Sequence, residues 1–288
     1  MTRRPLLLLL AMLTLLAGCV SRPRTGRVTP EPGLGAVDDG AGSYDYTPSG
    51  PRPGAAPLTI VEDFLLAMQA SPQTTAVASR YLTDEARAGW FPEKTTLVHG
   101  AKVVTGDRRT WTVSLSQTVQ LDALGTWVGR VGGDRGVEYE LELVQERGEW
   151  RIANPPDALI VPRDYFESRY QQFFVYYFDP SGEVLVPQPT YQPHGDQAAT
   201  LLVRRLLAGP DPGLDGVLRS YIPGGTEYVL SVRVNLEGVA EVQLTDRLLG
   251  LGEEEREKAL AQLAWTLSGV EGVDSMAVMV EGAPVDVP

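Results

Sequence analysis

Residues 162–178 read PRDYFESRYQQFFVYYF, a stretch with eight aromatic side chains. In a strand over residues 173–178, alternate side chains point to opposite faces, and both faces are apolar here. One face holds Phe174, Tyr176 and Phe178, and the other holds Phe173, Val175 and Tyr177. Such a strand is central in a sheet or packed between domains. With a short helix predicted over residues 162–172, the stretch predicts the junction of two folded units.

Downstream of this junction, the sequence predicts a second α+β unit over residues 161–288. Asp179 to Gly182 form a turn, and the chain returns as a strand over residues 184–186. Further elements follow from hydrophobic spacing and from the glycines and prolines that end each segment. They are a helix over 197–208, a hairpin over 228–236 and 239–244, a helix over 253–268 and a strand over 275–280.

Upstream of the junction, residues 58–160 predict another α+β unit, with helices followed by an antiparallel sheet. Apolar residues at three- and four-residue spacing predict the first helix, namely Ile60, Val61, Phe64, Leu65 and Met68. A second helical stretch is predicted over 74–81, and Thr83 is the expected N-cap of a helix over 84–90. Strands are predicted over 102–105, 109–121, 127–130, 137–145 and 149–152.

The chain begins MTRRPLLLLLAMLTLLAGCV, with two arginines before an apolar run of signal-peptide length. Small residues lead directly into Cys19, the only cysteine of the protein. This pattern resembles the lipobox of bacterial lipoproteins and predicts a signal peptide over residues 1–18 and lipidation of Cys19, with diacylglycerol or palmitate chains. An ordinary signal peptide that happens to contain a cysteine is the alternative. The expected location is the extracytoplasmic face of the cell membrane, with the membrane bound through the lipid.

Residues 19–57 are rich in Pro, Gly, Ser and Asp and hold few large aliphatic side chains. Such a segment buries too little apolar surface to offset the entropy of ordering. It is therefore predicted to be a disordered tether that holds the folded units away from the membrane.

The charge pattern argues against nucleic acid as a partner. The protein has 25 Lys and Arg against 37 Asp and Glu, a formal net charge of −12. Duplex binding needs cationic patches that displace counterions, and the sequence has no run of that kind.

Candidate catalytic and metal-binding groups are sparse in the sequence. His99 and His194 fall in different predicted units, without acidic residues at ligand spacing, so neither a metal site nor another cofactor is expected. Glu253, Glu254 and Glu255 lie in the first turn of a predicted helix, where the helix dipole favours negative charge. No nucleophile elbow, phosphate-binding loop or dinucleotide-binding motif is present. The sequence therefore favours a protein that is not an enzyme.

Residues 206–282 resemble the GerMN domain of spore germination and sporulation proteins. The similarity is carried by three short motifs and by the valines of the following strands. They are Leu206-Leu207-Ala208-Gly209-Pro210, Ile222-Pro223-Gly224-Gly225-Thr226, the hairpin around Gly238, and Val270, Val273, Val278, Val280 and Gly282.

Motifs in order along nearly the whole chain also resemble the LpqB lipoprotein family of actinobacteria. They include Gly18-Cys19, residues 64–68, Tyr81-Leu82-Thr83, Trp90-Phe91-Pro92, Trp150-Arg151-Ile152, and Tyr177-Phe178-Asp179 with Val186-Pro187. The resemblance implies an NTF2-like first unit over 58–160 and a GerMN unit over 161–288. That family continues into a C-terminal β-propeller, which the 288 residues of this sequence do not include.

The resemblance implies a non-enzymatic lipoprotein that is accessory to an Mtr-type two-component system and contacts the extracellular domain of its sensor histidine kinase. It also implies a role in the homeostasis of the cell wall and of division. We expect the aromatic junction to form the partner surface, with Tyr170, Phe174, Tyr176 and Tyr177 as contact residues.

Two other classes of function stay open at this point. The first is an extracytoplasmic module that binds a ligand, a glycan or peptidoglycan, in a cavity lined by Trp111, Trp127, Phe64 and Met68. The second is a cell-wall enzyme, which would require paired carboxylates or a nucleophile with its base in a cleft.

Overall fold

The computed structural model describes residues 46–214 and 216–285, and these belong to one compact unit. The predicted signal peptide, Cys19 and the tether up to residue 45 lie outside the described residues. Within the described ranges, no helix has the length and the apolar character needed to cross a bilayer.

Residues 46–57 differ from the prediction of a disordered tether. Tyr46 and Ser71 exchange two backbone hydrogen bonds of 2.8 and 2.9 Å. The Tyr81 hydroxyl donates to the Ser49 carbonyl oxygen at 2.8 Å, and the Gly54 N–H donates to a Glu149 carboxylate oxygen at 2.9 Å. A segment without a core of its own is thus held by polar bonds to the folded surface beside it.

The first part of the chain contains helices α1 (Pro57–Ala67) and α2 (Asp84–Ala88) and eight strands, which form two four-stranded sheets. The first sheet has the order β2-β3-β6-β7 and is antiparallel. The second has the order β5-β4-β1-β8, and β1 and β8 run parallel. The strands are β1 (Thr95–His99), β2 (Ala101–Gly106), β3 (Thr110–Ser116), β4 (Val119–Asp122), β5 (Trp127–Arg130), β6 (Val137–Glu146), β7 (Glu149–Ile152) and β8 (Leu159–Pro162).

The single strand predicted over residues 109–121 is wrong, because the chain leaves one sheet and enters the other within it. Gln117, with a φ of 52°, lies between β3 and β4. A left-handed residue cannot continue a strand, so the two halves pair with different neighbours. Strands β1 and β8 were not predicted, and their parallel pairing departs from the expected antiparallel sheet.

The α1 side chains that the sequence assigned to a buried face are buried. Ile60, Val61, Phe64 and Leu65 pack in one apolar cluster with Leu141 and Leu143 of β6. Thr83 caps α2 as predicted, since its hydroxyl oxygen accepts from the Ala86 N–H at 3.1 Å. The helix predicted over 74–81 is reduced to a 3-10 turn at Ala78–Tyr81.

The second part of the chain contains three helices and six strands. Strands β9 (Tyr170–Phe178) and β10 (Leu185–Pro193) form an antiparallel pair. A four-stranded sheet has the order β11-β12-β13-β14, in which β12 and β13 run parallel. Its strands are β11 (Arg233–Val234), β12 (Val239–Leu244), β13 (Ser275–Val280) and β14 (Ala283–Val285), and the helices are α3 (Arg163–Arg169), α4 (Ala198–Leu207) and α5 (Glu253–Leu267).

Strand β9 lies at the centre of this second core. Its residues Phe173, Val175 and Tyr177 pack with α4, α5 and the inner face of the β12–β13 pair in one cluster of buried side chains. Both parts of the chain mix helices with sheets, so the predicted α+β class is confirmed. The predicted return strand over 184–186 is too short, and the first hairpin strand over 228–236 is reduced to β11.

Candidate functional site: an open strand edge beside an apolar cleft

The two faces of β9 have different environments. Phe173, Val175 and Tyr177 are buried, as expected for a face packed in the core. On the opposite face Phe178 is also buried, and its ring meets the Tyr221 ring edge-on at a centroid distance of 5.1 Å. Phe174 on that same face is 41% exposed, which is a large apolar surface for a residue in the middle of a strand.

Trp265 of α5 extends this exposed aromatic surface. Its side chain is 55% exposed, and its ring centroid lies 5.7 Å from that of Tyr176. Sequence reasoning missed this residue as a site candidate. The available signal was its position, because Leu260, Leu263 and Leu267 mark the buried face of α5 and Trp265 falls outside it. We call Phe174, Tyr176 and Trp265 the aromatic patch.

A cleft of about 290 Å³ lies beside Trp265, between the end of α5 and the start of β13. Leu267, Val273 and Met276 give it apolar walls, and Asp274 is the only charged residue among those that line it. The Asp274 side chain is exposed and forms no ion pair with another described residue. The cleft therefore combines apolar walls with one negatively charged lining residue.

The backbone of β9 is open next to this patch. Even-numbered residues of β9 direct their N–H and C=O groups away from β10. The Phe178 N–H donates to the Arg219 carbonyl oxygen at 2.9 Å. The Tyr176 N–H donates to the Thr266 hydroxyl oxygen at 3.2 Å, and the Gln262 amide donates to the Tyr176 carbonyl oxygen at 2.9 Å. Helix α5 then ends, and no other described residue bonds to the outward groups of Phe174 and Gln172.

The four predicted contact residues have different environments. Phe174 and Tyr176 belong to the aromatic patch. Tyr170 is half-buried and stacks on Phe166 at a centroid distance of 4.7 Å, and burial raises the pKa of its hydroxyl. The prediction that Tyr177 contacts a partner is wrong, because its side chain is completely buried. Burial also raises the pKa of its hydroxyl to about 12.

The four residues expected to line a ligand cavity, Trp111, Trp127, Phe64 and Met68, do not lie together. Phe64 and Met68 are buried in the core of the first part, against which Trp111 also packs, and the Phe64 ring centroid lies 5.6 Å from that of Trp90. Trp127 is exposed at the edge strand β5 and contacts Tyr191. The cleft beside Trp265 uses none of the four.

The candidate catalytic and metal-binding groups lie apart. His99 is buried in β1, and its burial, with a smaller contribution from the Lys102 charge, lowers its pKa to about 4. His194 is exposed after β10. Glu254 pairs with Lys258 at 2.7 Å on the surface of α5. Among the residues described, no three His, Cys, Asp or Glu side chains are grouped as a metal site would require.

Two family models match the chain. Residues 50–167 match the model described as "Lipoprotein LpqB, N-terminal domain", and residues 174–286 match the one described as "Sporulation and spore germination". The first match ends three residues before the start of β9 at Tyr170, and the second begins four residues after it.

Similar curated proteins carry the name Lipoprotein LpqB. That of Cutibacterium acnes is 27% identical over 292 residues, which cover 100% of this chain and 49% of the relative. That of Mycobacterium paratuberculosis is 29% identical over 299 residues, which cover 98% of this chain and 50% of the relative. The chain thus spans about half the length of the curated relatives it matches.

Among solved structures, this chain is similar to the first GerMN domain of the sporulation protein GerM from Bacillus subtilis. The match covers 40% of this chain and 86% of the solved domain, with 18% identity and a TM-score of 0.33.

Proposed function

We propose that this chain, which carries the N-terminal domain of the LpqB lipoprotein family followed by a sporulation and spore germination (GerMN) domain, is a non-enzymatic, lipid-anchored binding protein on the extracytoplasmic face of the cell membrane. Its partner is the extracellular domain of an Mtr-type sensor histidine kinase. Through that contact it supports the homeostasis of the cell wall and of division.

The observation that supports a protein partner is the aromatic patch. Phe174 and Trp265 expose large apolar side chains on two elements that the core holds rigidly. Aromatic side chains are enriched at the centres of protein interfaces, where they carry much of the binding energy. A rigid strand and helix also lose little conformational entropy when a partner binds.

Lipidation of Cys19 supports a partner in the membrane. Two acyl chains anchor a protein more stably than one. The anchored protein and a membrane-embedded kinase share a surface, so that their effective concentration is high even when the contact is weak. We expect Cys19→Ser to move the protein from the membrane fraction to the soluble extracytoplasmic fraction and to weaken its effect on the kinase.

The direct test is photo-crosslinking in living cells. A benzophenone amino acid at position 174 should capture the sensor kinase, identified by mass spectrometry. Position 103 is the control, because Val103 is 58% exposed on β2, away from the aromatic patch. Capture of the kinase equally from both positions, or from neither, would contradict the proposal.

A paired substitution tests the same patch without a crosslinker. Phe174→Ala combined with Trp265→Ala should reduce co-purification of the kinase from detergent-solubilised membranes, because both side chains leave the interface. The urea midpoint of the variant should stay close to that of the parent, since surface substitutions usually change stability by about 0.5 kcal/mol or less. Unchanged recovery of the kinase with this variant would count against the patch.

Binding of peptidoglycan is the second candidate function, and the position of Trp265 favours it. An exposed indole beside a cleft of about 290 Å³ offers an apolar platform against which a sugar ring can pack. Co-sedimentation of the purified full chain with insoluble peptidoglycan, with Trp265→Ala as the matched variant, tests this function. Unchanged sedimentation of the Trp265→Ala variant would show that Trp265 does not bind peptidoglycan.

A further inference from the structure

We infer that the β9 edge accepts one extended, basic and apolar polypeptide segment as an added strand beside residues 172–174. This inference rests on the proposed function, because it describes how a protein partner binds at the aromatic patch. It adds the backbone conformation of the bound segment and the sign of its charge.

The hydrogen-bonding geometry of β9 supports an added strand. A strand edge with unpaired N–H and C=O groups is a template for another chain. In β9 the outward groups of Phe178 and Tyr176 are already bonded, whereas those of Phe174 and Gln172 are not. Four backbone groups in a row are therefore available to one short segment.

The sequence of β10, which pairs with β9, favours the free edge of β9 over the free edge of β10 as the site of an added strand. Pro187, Pro189 and Pro193 of β10 lie opposite Tyr176, Phe174 and Tyr170, at positions that would direct an N–H outward. Proline has no N–H, so these residues remove donors from the free edge of β10. Two outward N–H groups remain on β10: that of Tyr191 donates to the Gly125 carbonyl oxygen at 2.8 Å, and that of Leu185 lies at the first position of the strand, opposite Phe178.

The side chains beside the open edge indicate an apolar segment. A strand added next to Phe174 lies along the aromatic patch, and alternate side chains of that strand point to the face that Phe174 and Tyr176 occupy. The cleft beside Trp265 has room for one aliphatic or aromatic side chain against Leu267 and Met276. A cross-strand contact with Phe174 is of the kind that stabilises sheets.

The charges indicate a basic segment and argue against a second copy of this chain. The exposed Asp274 carboxylate at the cleft has no ion-pair partner among the described residues, and neither has the exposed Glu271 nearby in the sequence. A second copy would bring the same carboxylates and a net charge of −12 to the contact. Like charges brought together at an interface are unfavourable.

The test uses the full chain purified in detergent and three synthetic heptapeptides. The first alternates Val and Lys, the second alternates Val and Glu, and the third is the Val–Lys peptide methylated at every backbone nitrogen after the first residue, so that neither edge can donate. Affinity is measured by fluorescence anisotropy of the labelled peptide, and amide hydrogen exchange is followed over residues 170–176.

The Val–Lys peptide should bind and slow exchange of the Gln172 and Phe174 amides. The methylated peptide should bind at least about tenfold more weakly, because two backbone hydrogen bonds are lost. The Val–Glu peptide should also bind more weakly, and Asp274→Asn should reduce the difference between the two charged peptides. Equal binding of the methylated peptide would overturn strand addition, and equal binding of the Val–Glu peptide would overturn the basic character.

Two variants at one position separate the backbone from the side chain. Phe174→Pro removes the outward N–H, whereas Phe174→Ala keeps it and removes the ring. Strand addition requires that Phe174→Pro bind the Val–Lys peptide more weakly than Phe174→Ala does. Exchange of the α5 amides reports whether each variant is folded. If Phe174→Pro is not folded, the comparison of the Val–Lys peptide with its methylated form on the parent chain tests the backbone contribution by itself.

The outcomes also separate this inference from the proposed function. If the peptide protects the β9 edge while crosslinking from position 174 captures no kinase, the kinase is the wrong partner and strand addition stands. If crosslinking captures the kinase while the peptide leaves the edge unprotected, the partner binds the aromatic patch in another way.

Discussion

The Tyr177 hydroxyl oxygen lies 2.7 Å from the Gly209 carbonyl oxygen, to which it donates a hydrogen bond. One Arg205 guanidinium nitrogen donates to the same carbonyl oxygen at 2.7 Å. A buried side chain of β9 and a buried arginine of α4 thus share one acceptor just after the end of α4. This joins the strand that carries the aromatic patch to the helix behind it.

Tyr177→Phe should lower the free energy of unfolding by about 1 kcal/mol, since the substitution removes a buried hydrogen bond and keeps the ring. Urea unfolding followed by far-ultraviolet circular dichroism measures the change. Tyr176→Phe is the matched control, because the Tyr176 hydroxyl forms no hydrogen bond with another described residue. Equal effects of the two substitutions would show that the Tyr177 hydroxyl contributes nothing specific.

Asp211→Ala should lower the free energy of unfolding by about 2 kcal/mol. The Asp211 carboxylate accepts from a guanidinium nitrogen of the fully buried Arg205 at 2.7 Å and from the Gln188 amide. Removal of the carboxylate leaves a buried cation without a counter-charge, a loss that the partial exposure of Asp211 moderates. The double variant Arg205→Met, Asp211→Ala should be at least as stable as Asp211→Ala. A double variant less stable than Asp211→Ala would contradict this account.

Gly209→Ala should lower the free energy of unfolding by about 1 kcal/mol. Gly209 follows α4 with a φ of 84°, a conformation that an alanine side chain disfavours. A Cβ there would meet no atom within 4 Å, so the cost is conformational rather than steric. Gly250→Ala, where the added Cβ is equally free and φ is not positive, should be neutral or stabilising. Equal destabilisation by both would remove the conformational explanation.

The stability of the protein should fall as the pH is lowered from about 6.5 to 4 because of His99. The buried imidazole is neutral in the folded state, its pKa of about 4 set by burial and by Lys102 and raised slightly by Asp164. The unfolded chain binds a proton near pH 6.5, so between these values it holds more protons than the folded chain. The loss amounts to at most about 3 kcal/mol and is complete below pH 4.

His99→Gln should remove this part of the pH dependence. The measurement is the urea midpoint at several pH values from 4 to 7, in which the parent and the variant should converge at low pH. His194→Gln is the control, because His194 is exposed and its substitution should leave the parent slope unchanged. If the stability of His99→Gln still falls between pH 6.5 and 4 as steeply as that of the parent, the pH dependence arises from carboxylates and not from His99.

The elements with strong local patterns could be predicted from the sequence. The spacing of Ile60, Phe64 and Met68 predicts α1, the Thr83 cap predicts α2, and the run of aromatic residues over 173–178 predicts a strand within β9. These signals are local because each depends on residues within one or two turns of helix or one strand.

The remaining features depend on contacts between distant residues. The parallel pairing of β1 with β8 joins residues about sixty positions apart, and no local pattern specifies it. The candidate site is similar in this respect. Phe174 and Tyr176 could be predicted as candidates, but Trp265 reaches Tyr176 only through the packing of α5 on β9, and the open edge depends on where α5 ends.

The prolines of β10 also limit how many chains can assemble on this protein. An open sheet with two bare edges can grow in both directions, one chain after another, into a ribbon. Here prolines occupy three of the five outward positions of β10, and the edge of β9 offers only two residues before α5 covers it. The strand pair therefore presents one short site for an added strand, and we expect one bound segment per chain rather than a growing ribbon.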